Sequence, residues 1–310
     1  MTDFSLDLPP LLARAVFDRA DEVRDDPARM AAGWAGAGVL LIDADGRYPV
    51  TEAGGLHWLP AARLADSPPG DAVFLGRDGS RDLWTRRVDH IDGPTDDARR
   101  GAVRLSADEA GMLATALGIL NWHQTARYSP VDGSATVPAR GGWVRRGVDS
   151  GRDEFPRTDP AIITVVHDGA DQILLGRQSV WPDGWYSTLA GFVEPGESLE
   201  QCVIREVHEE VGITVTAPRY LGSQPWPFPR SLMLGFAAIG DPREPLNYLD
   251  GEIGDAQWFH RDEVREAIAR GDDWVRPDAG TEPSTEPRPR LRLPGSISIA
   301  RAMIEAWVAT

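Results

Sequence analysis

Four glutamates within residues 191–213 of this 310-residue chain have types and spacing that could do chemistry: Glu197, then Glu206, Glu209 and Glu210. Ser198 followed by Gln201 reads as a capping box and predicts a helix that starts there. The helix should run to about Val211 and stop at Gly212, a residue suited to a left-handed C-terminal cap. On it, Glu206, Glu209 and Glu210 fall at i, i+3 and i+4, so three carboxylates share one face. Leu199, Val203 and Val207 form an apolar stripe on another face that would hold the helix to a core. Like charges at this spacing repel, weakening an isolated helix by roughly 0.2–0.5 kcal/mol per pair. Arg205 is adjacent, but one guanidinium cannot neutralise four carboxylates. A hard divalent cation can, and Mg²⁺ is commonly held by a few carboxylates together with substrate phosphates. For three glutamates taken alone, a solvated acidic helix face is the other reading.

The residues around the helix add to this pattern. Gly191, Glu197, Arg205-Glu206, Glu209-Glu210 and Gly212 stand at the spacing of the Nudix box, with aliphatic Val207 and Ile213 where that pattern wants them. The stretch resembles the box of the Nudix hydrolases. That likeness implies a loop–helix–loop that binds Mg²⁺ or Mn²⁺ and hydrolyses a nucleoside diphosphate linked to another group. Arg205 would be mainly structural, paired with a box glutamate. Beyond the box comes Ser223-Gln224-Pro225-Trp226-Pro227-Phe228-Pro229-Arg230-Ser231. Three prolines alternating with aromatics make a stiff extended segment that presents Trp226 and Phe228 rigidly. On physics alone it also suits a proline-stiffened strand edge.

Box and string together resemble the NADH pyrophosphatase (NAD diphosphatase) family within the Nudix hydrolases. Asn121-Trp122-His123, Gly142-Trp143, Phe155-Pro156-Arg157 and Ser298-Ile299-Ala300 extend the likeness over roughly residues 105–310, and the N-terminal third matches only by length and position. The resemblance implies an α/β chain in three parts: an N-terminal α/β domain (1–125), a zinc-ribbon-like module (126–157) and a C-terminal Nudix α/β/α sandwich with a mixed sheet (158–310). It further implies a homodimer with shared active sites, cleavage of NAD(H) to NMN(H) and AMP, and removal of NAD caps from RNA. By position, Glu206, Glu209 and Glu210 would be metal ligands, and Glu252 after the Asp250-Gly251 turn a further one. Glu210 would be the general base. Phe192 would stack on a flat ring of the substrate, Gln224 and Trp226 would line the site, and Ala300 would contribute its backbone. A Nudix enzyme for another diphosphate such as ADP-ribose is the nearest alternative. A nucleotide-sensing regulator with a dead Nudix domain is a further one, disfavoured because every box carboxylate is present.

Elsewhere the chain supplies the elements that must position these groups. Gly38–Ile42, Ala72–Leu75 and Leu83–Val88 read as short buried strands, and Ala107–Leu120 as an amphipathic helix capped by Ser106. Residues 121–157 are turn-rich and irregular. In the C-terminal part, strands are predicted over 161–166 and 172–175, joined at Asp168-Gly169, then over 186–190, 213–221, 232–239 and 256–259. A helix capped by Asp262 follows, and a last helix opens at Ser296 with Ala300, Met303, Ile304 and Trp307 on one stripe. The proline-bearing stretch 277–289 reads as a mobile loop. Composition is that of a globular protein, 42% apolar and 26% charged. A net charge of −16 speaks against an extended grip on a nucleic-acid backbone. The absence of a long apolar run or a signal sequence, together with a single cysteine, Cys202, points to the cytoplasm and away from membranes and disulfides. Cys202 itself reads as a packed apolar thiol, and His208 as a surface residue.

One departure from the family stands out. Where the resemblance wants two C-x-x-C pairs, this chain has Ser129 and Asp132, then Gly147 and Ser150. Structural zinc is typically held by four Cys or His ligands. The expectation is therefore no structural zinc, with the module held by packing of Tyr128, Trp143 and Phe155.

Overall fold

The computed structural model describes residues 3–248, 251–271 and 289–310. It divides into two compact units, one comprising Leu12–Thr158 with Pro225–Ser231 and the other Met1–Leu11, Asp159–Gln224 and Leu232–Thr310. The reading of residues 277–288 as a loop lies outside the described residues. Among the described residues no helix is long and apolar enough to cross a membrane.

The first unit begins with α1 (Pro27–Trp34), β1 (Gly38–Ile42), β2 (Arg47–Pro49), β3 (Leu59–Pro60), β4 (Val73–Asp78), β5 (Arg81–Arg87), β6 (Thr95–Asp97) and α2 (Ala98–Gly101). A four-stranded sheet runs β3-β1-β5-β4, with β1 and β5 parallel and Gly38 opposite Leu83. Trp34, Phe74 and Trp84 pack edge to face at its centre. α3 (Ala107–Thr125) starts at a complete capping box between Ser106 and Glu109. It runs past Leu120 because Trp122 is also buried and continues the packed face.

A three-stranded antiparallel sheet follows: β7 (Thr136–Ala139), β8 (Val144–Gly147) and β9 (Asp153–Glu154). Two tight turns flank it. Gly133 N–H donates to Ser129 O, and Gly151 N–H to Gly147 O, each at 2.9 Å. Asp132 closes the first of them, since its carboxylate accepts from Ser134 N–H at 3.0 Å and Ser134 Oγ at 2.8 Å, while the Ser129 hydroxyl donates to Glu154 at 3.3 Å. The Ser134 bonds hold the Asp132 carboxyl below the usual carboxylate range. A Cβ on Gly147 would stand 2.4 Å from Ser150 Oγ, so a larger residue there would require the Ser150 hydroxyl to rotate away. His123 has both ring nitrogens engaged: Nε2–H donates to Gly142 O at 2.7 Å and Nδ1 accepts from Arg145 at 2.9 Å. Burial pushes its pKa down to about 4. Two hydroxyls, one hydrogen-bonded carboxylate and an occupied imidazole do not fit a structural zinc.

The second unit is α/β. It contains β10 (Asp159–His167), β11 (Gln172–Gln178), β12 (Leu189–Phe192), α4 (Leu199–Val211), β13 (Thr216–Trp226), β14 (Ser231–Ile239), β15 (Ile253–His260), α5 (Arg261–Ala269) and α6 (Ile299–Val308). The strand order is β13-β14-β10-β11-β15, with β12 antiparallel on β10. Side chains alternate across it with period two. Ile162, Val166, Leu174 and Phe236 pack with Val203, Val207 and Val211 of α4. Ile163, Val165, Ile173 and Leu175 face the other way, onto Val264 of α5 and Met303, Ile304 and Trp307 of α6. Phe4 joins this second layer, and its carbonyl accepts from Arg219, so the N-terminal residues grouped by sequence with the first domain pack here. Two caps differ from expectation. His260, not Asp262, caps α5 in a box with Glu263, and Ser298, not Ser296, caps α6.

Candidate active site

Local sequence builds the acidic helix. Ser198 Oγ accepts from Gln201 N–H at 3.2 Å, Gln201 Oε1 accepts from Ser198 N–H at 2.9 Å, and Gly212 closes the other end at φ 78°. Cys202, Val203, Val207 and Val211 are fully buried, which turns Glu206 and Glu209 outward from the core. Burial pushes the Cys202 thiol up to about 12, so it is inert at neutral pH. His208 is exposed.

Arg205 clasps the acidic cluster. Its Nε and Nη2 donate to the two oxygens of Glu197 at 2.9 and 2.6 Å, and Nη1 donates to Glu206 at 2.9 Å and Glu209 at 2.8 Å. Nη2 also reaches Phe192 O at 2.9 Å. The Arg205 bonds hold the Glu197 carboxyl down at about 2. One cation therefore fixes three carboxylates and the end of β12.

Glu206 lies against Gly191: a Cβ on that glycine would be 1.9 Å from Glu206 Cδ. Its side chain is 14% exposed, against 47% for Glu209. Burial pushes the Glu206 carboxyl up, Arg205 opposes this, and the negative charges of Glu209 and Glu252 push it up again. Glu210 is 4% exposed. Glu252 is exposed just ahead of β15, near enough to act on Glu206. Hard oxygen donors in a region of excess negative charge fit a divalent cation such as Mg²⁺ or Mn²⁺. Among the described residues, no three ionisable side chains are gathered into metal-binding geometry in the present arrangement. Arg205 Nη1, bridging Glu206 and Glu209, is what lies between two of the donors.

The remaining candidates separate. Phe192 is 59% exposed at the end of β12, opposite Ala161, with its ring open to a planar partner. Gln224 is fully buried. Its Nε2 donates to Ile297 O at 2.8 Å and its Oε1 accepts from Ile299 N–H at 2.7 Å, so it fastens the start of α6. Ala300 sits in that first turn, and its N–H donates to Ser298 Oγ at 3.2 Å. Trp226 belongs to the first unit, where it meets Phe228 edge to face at 5.0 Å. Sequence reasoning missed two positioning residues: Gly191 as the hollow for Glu206, and Gln224 as a clamp on α6. A glycine in a strand was the available signal for the first, and nothing local signalled the second.

Residues 157–277 match the NUDIX domain family. The chain is 51% identical over 316 residues to the NAD-capped RNA hydrolase NudC of Mycobacterium bovis, covering 99% of this chain and 97% of that protein. It is 35% identical over 217 residues to the NAD-capped RNA hydrolase NUDT12 of Homo sapiens, covering 66% of this chain and 43% of that one. A NUDIX hydrolase crystal structure from Nitrosomonas europaea aligns with a TM-score of 0.38 at 17% identity, over 44% of this chain and 78% of that one.

Proposed function

This chain belongs to the Nudix hydrolase family, and from that premise we propose that it hydrolyses the diphosphate of NAD(H) to NMN(H) and AMP and removes NAD caps from RNA. The observation that carries the reading is the complete carboxylate set on α4, clasped by Arg205, in a chain 51% identical over nearly its whole length to a NAD-capped RNA hydrolase.

The reaction needs water to attack one phosphorus while the bridging P–O bond breaks and the other phosphate leaves with the electron pair. A divalent cation held by Glu206, Glu209, Glu210 and Glu252 would neutralise the diphosphate and make water more acidic. Glu210 takes the proton from the attacking water, and its 4% exposure removes competing solvent. Arg205 fixes Glu206 and Glu209 at the diphosphate, so positioning and charge do most of the work. Phe192 stacks on a flat ring of the dinucleotide. Gln224 acts at one remove, by holding the first turn of α6 and with it Ala300. Substrate enters against the field of a chain of charge −16, which local cations must overcome. A homodimer with shared sites belongs to the same reading.

The test is kcat/KM for NADH, NAD⁺, ADP-ribose and NAD-capped RNA, each with Mg²⁺ and with Mn²⁺. Cleavage of the NAD-containing substrates ahead of ADP-ribose is expected. Preference for ADP-ribose, or turnover that persists without divalent metal, would overturn it.

A further inference from the structure

One buried cation in the first unit lacks a counter-charge. Arg145, on β8, is 8% exposed. Its donors reach only neutral acceptors: Thr136 Oγ1 at 2.7 Å, Thr136 O at 2.6 Å and His123 Nδ1 at 2.9 Å. His123 is neutral at pH 7, since its pKa lies at about 4. These bonds leave one N–H on Nη1 and one on Nη2 to spare. No carboxylate among the described residues pairs with Arg145. Burial lowers its pKa, and the Arg127 charge lowers it further. Taking a charge out of water without an opposite charge to meet is costly, and proteins ordinarily pair such a group.

Arg145 lines a cavity of about 530 Å³ between the end of α3, β5 and β8, a volume typical of small-molecule sites. Arg87 of β5 and Arg127, just beyond α3, line it as well. Arg87 donates through its Nη atoms to Asp43 O and Asn121 Oδ1, and its buried Nε–H has no hydrogen-bond partner. The Asp43 charge offsets that of Arg87 in part. Arg127 is exposed. The lining acids are Asp71 and Asp89. Asp71 is already held by Arg86 Nε, at 2.9 and 3.0 Å, and Asp89 is exposed to solvent. Three guanidiniums therefore outweigh the acids here, against the charge of −16 on the whole chain. Tyr128 lines the same cavity and is 69% exposed. Guanidinium forks match the oxygens of a phosphate group, and an exposed phenol ring offers a flat apolar face.

We propose that this cavity binds a small phosphate monoester, its dianion on Arg127 and Arg145 and its planar ester group on Tyr128. The phosphate supplies the counter-charge that the fold denies to Arg145, and it braces β8 against the end of α3. Inorganic phosphate shares the charge chemistry, and the Tyr128 ring separates the two. The site goes beyond the catalytic reading and does not require it.

Binding is measured by titration calorimetry of the full chain with AMP, inorganic phosphate and adenosine. A phosphate-free buffer with EDTA leaves no metal to hold phosphate at the acidic helix. Wild type should bind AMP, bind inorganic phosphate more weakly and leave adenosine unbound. Arg127→Ala should weaken AMP and phosphate about tenfold, the scale of one lost charged hydrogen bond, with NADH turnover unchanged. Arg127→Lys should restore part of the affinity. Tyr128→Ala should bring AMP down to the affinity of phosphate. Arg127→Glu sets a carboxylate beside Arg145. It should abolish binding and raise the Tm of the ligand-free protein above that of Arg127→Ala, because Arg145 then has its counter-charge. Four results would overturn the proposal. They are no uptake of AMP by wild type, adenosine binding as well as AMP, AMP binding no tighter than inorganic phosphate, or AMP affinity unaltered in both Arg127→Ala and Arg127→Glu.

Discussion

Gly191→Ala is the sharpest perturbation of the acidic site. Gly191 sits in β12 opposite Ile162. An added Cβ would stand 1.9 Å from Glu206 Cδ, 2.0 Å from Oε2 and 2.2 Å from Oε1. Ordinary contact is roughly 3.4 Å, so the carboxylate must retreat by more than about 1 Å. It can, because it is the end of a flexible side chain. The strand itself tolerates alanine, and removing a glycine stabilises by about 0.4–1 kcal/mol through the unfolded chain where the backbone is compatible. Stability should therefore hold or rise slightly while Glu206 leaves its place beside Arg205. A 1 Å misplacement at a reacting centre costs about 10²-fold in rate. The assay is steady-state NADH hydrolysis across a metal titration, with Tm measured in parallel. The expected result is kcat down about 10²-fold, a higher metal requirement and Tm nearly unchanged. Retention of more than half the activity at an unchanged metal requirement would refute the assignment of Glu206. A fall of many degrees in Tm would instead show that the strand, and not the carboxylate, absorbs the clash.

Glu209→Gln and Glu210→Gln should each lower kcat by roughly 10²-fold or more with the fold intact; more than half activity in both would sink the metal and base assignments. Arg205 holds Glu197 at about 2, below its ordinary 4.5, so this contribution to stability is present above pH 4.5 and lost as pH falls towards 2. Wild-type Tm should accordingly drop through that window, while Arg205→Met should be less stable at pH 7 and flatter with pH; parallel Tm–pH curves would contradict this. Gln224→Leu strands Ile297 O and Ile299 N–H in a buried place, at about 1–3 kcal/mol for each group. Its denaturation midpoint should fall with the m-value unchanged, and an unaltered midpoint would deny the clamp. Elemental analysis of protein purified without added metal should find no stoichiometric zinc, and one zinc per chain resistant to chelator would refute the reading of the Asp132 turns.

The acidic helix was legible because its determinants are local. Ser198, Gln201 and Gly212 act on backbone groups within a few residues, and the i, i+3, i+4 placement of Glu206, Glu209 and Glu210 follows from helix geometry. The same holds for Ser106 on α3 and for the period-two alternation that gives the second unit its layers. Ends of α5 and α6 were less legible, since His260 and Ser298 compete as caps with polar residues two positions away, and packing of the apolar stripe selects between them. What chemistry each carboxylate can do was a tertiary matter. Glu206 owes its place to a missing side chain on a strand fifteen residues earlier, and Glu210 is buried in the fold although helix spacing alone sets it on the face of Glu206 and Glu209. Gln224 reaches carbonyl and amide groups more than seventy residues on, and Asn121 recruits Pro227 and Pro229 over a separation above one hundred. The four positions that lack cysteine could be read as a lost metal site, but only folding brings the Ser129 hydroxyl to Glu154, a separation of 25 residues. Hydrogen bonds and charges act over a few ångströms of space whatever the chain length between them, so pairings closed by the fold leave no periodic trace in the sequence.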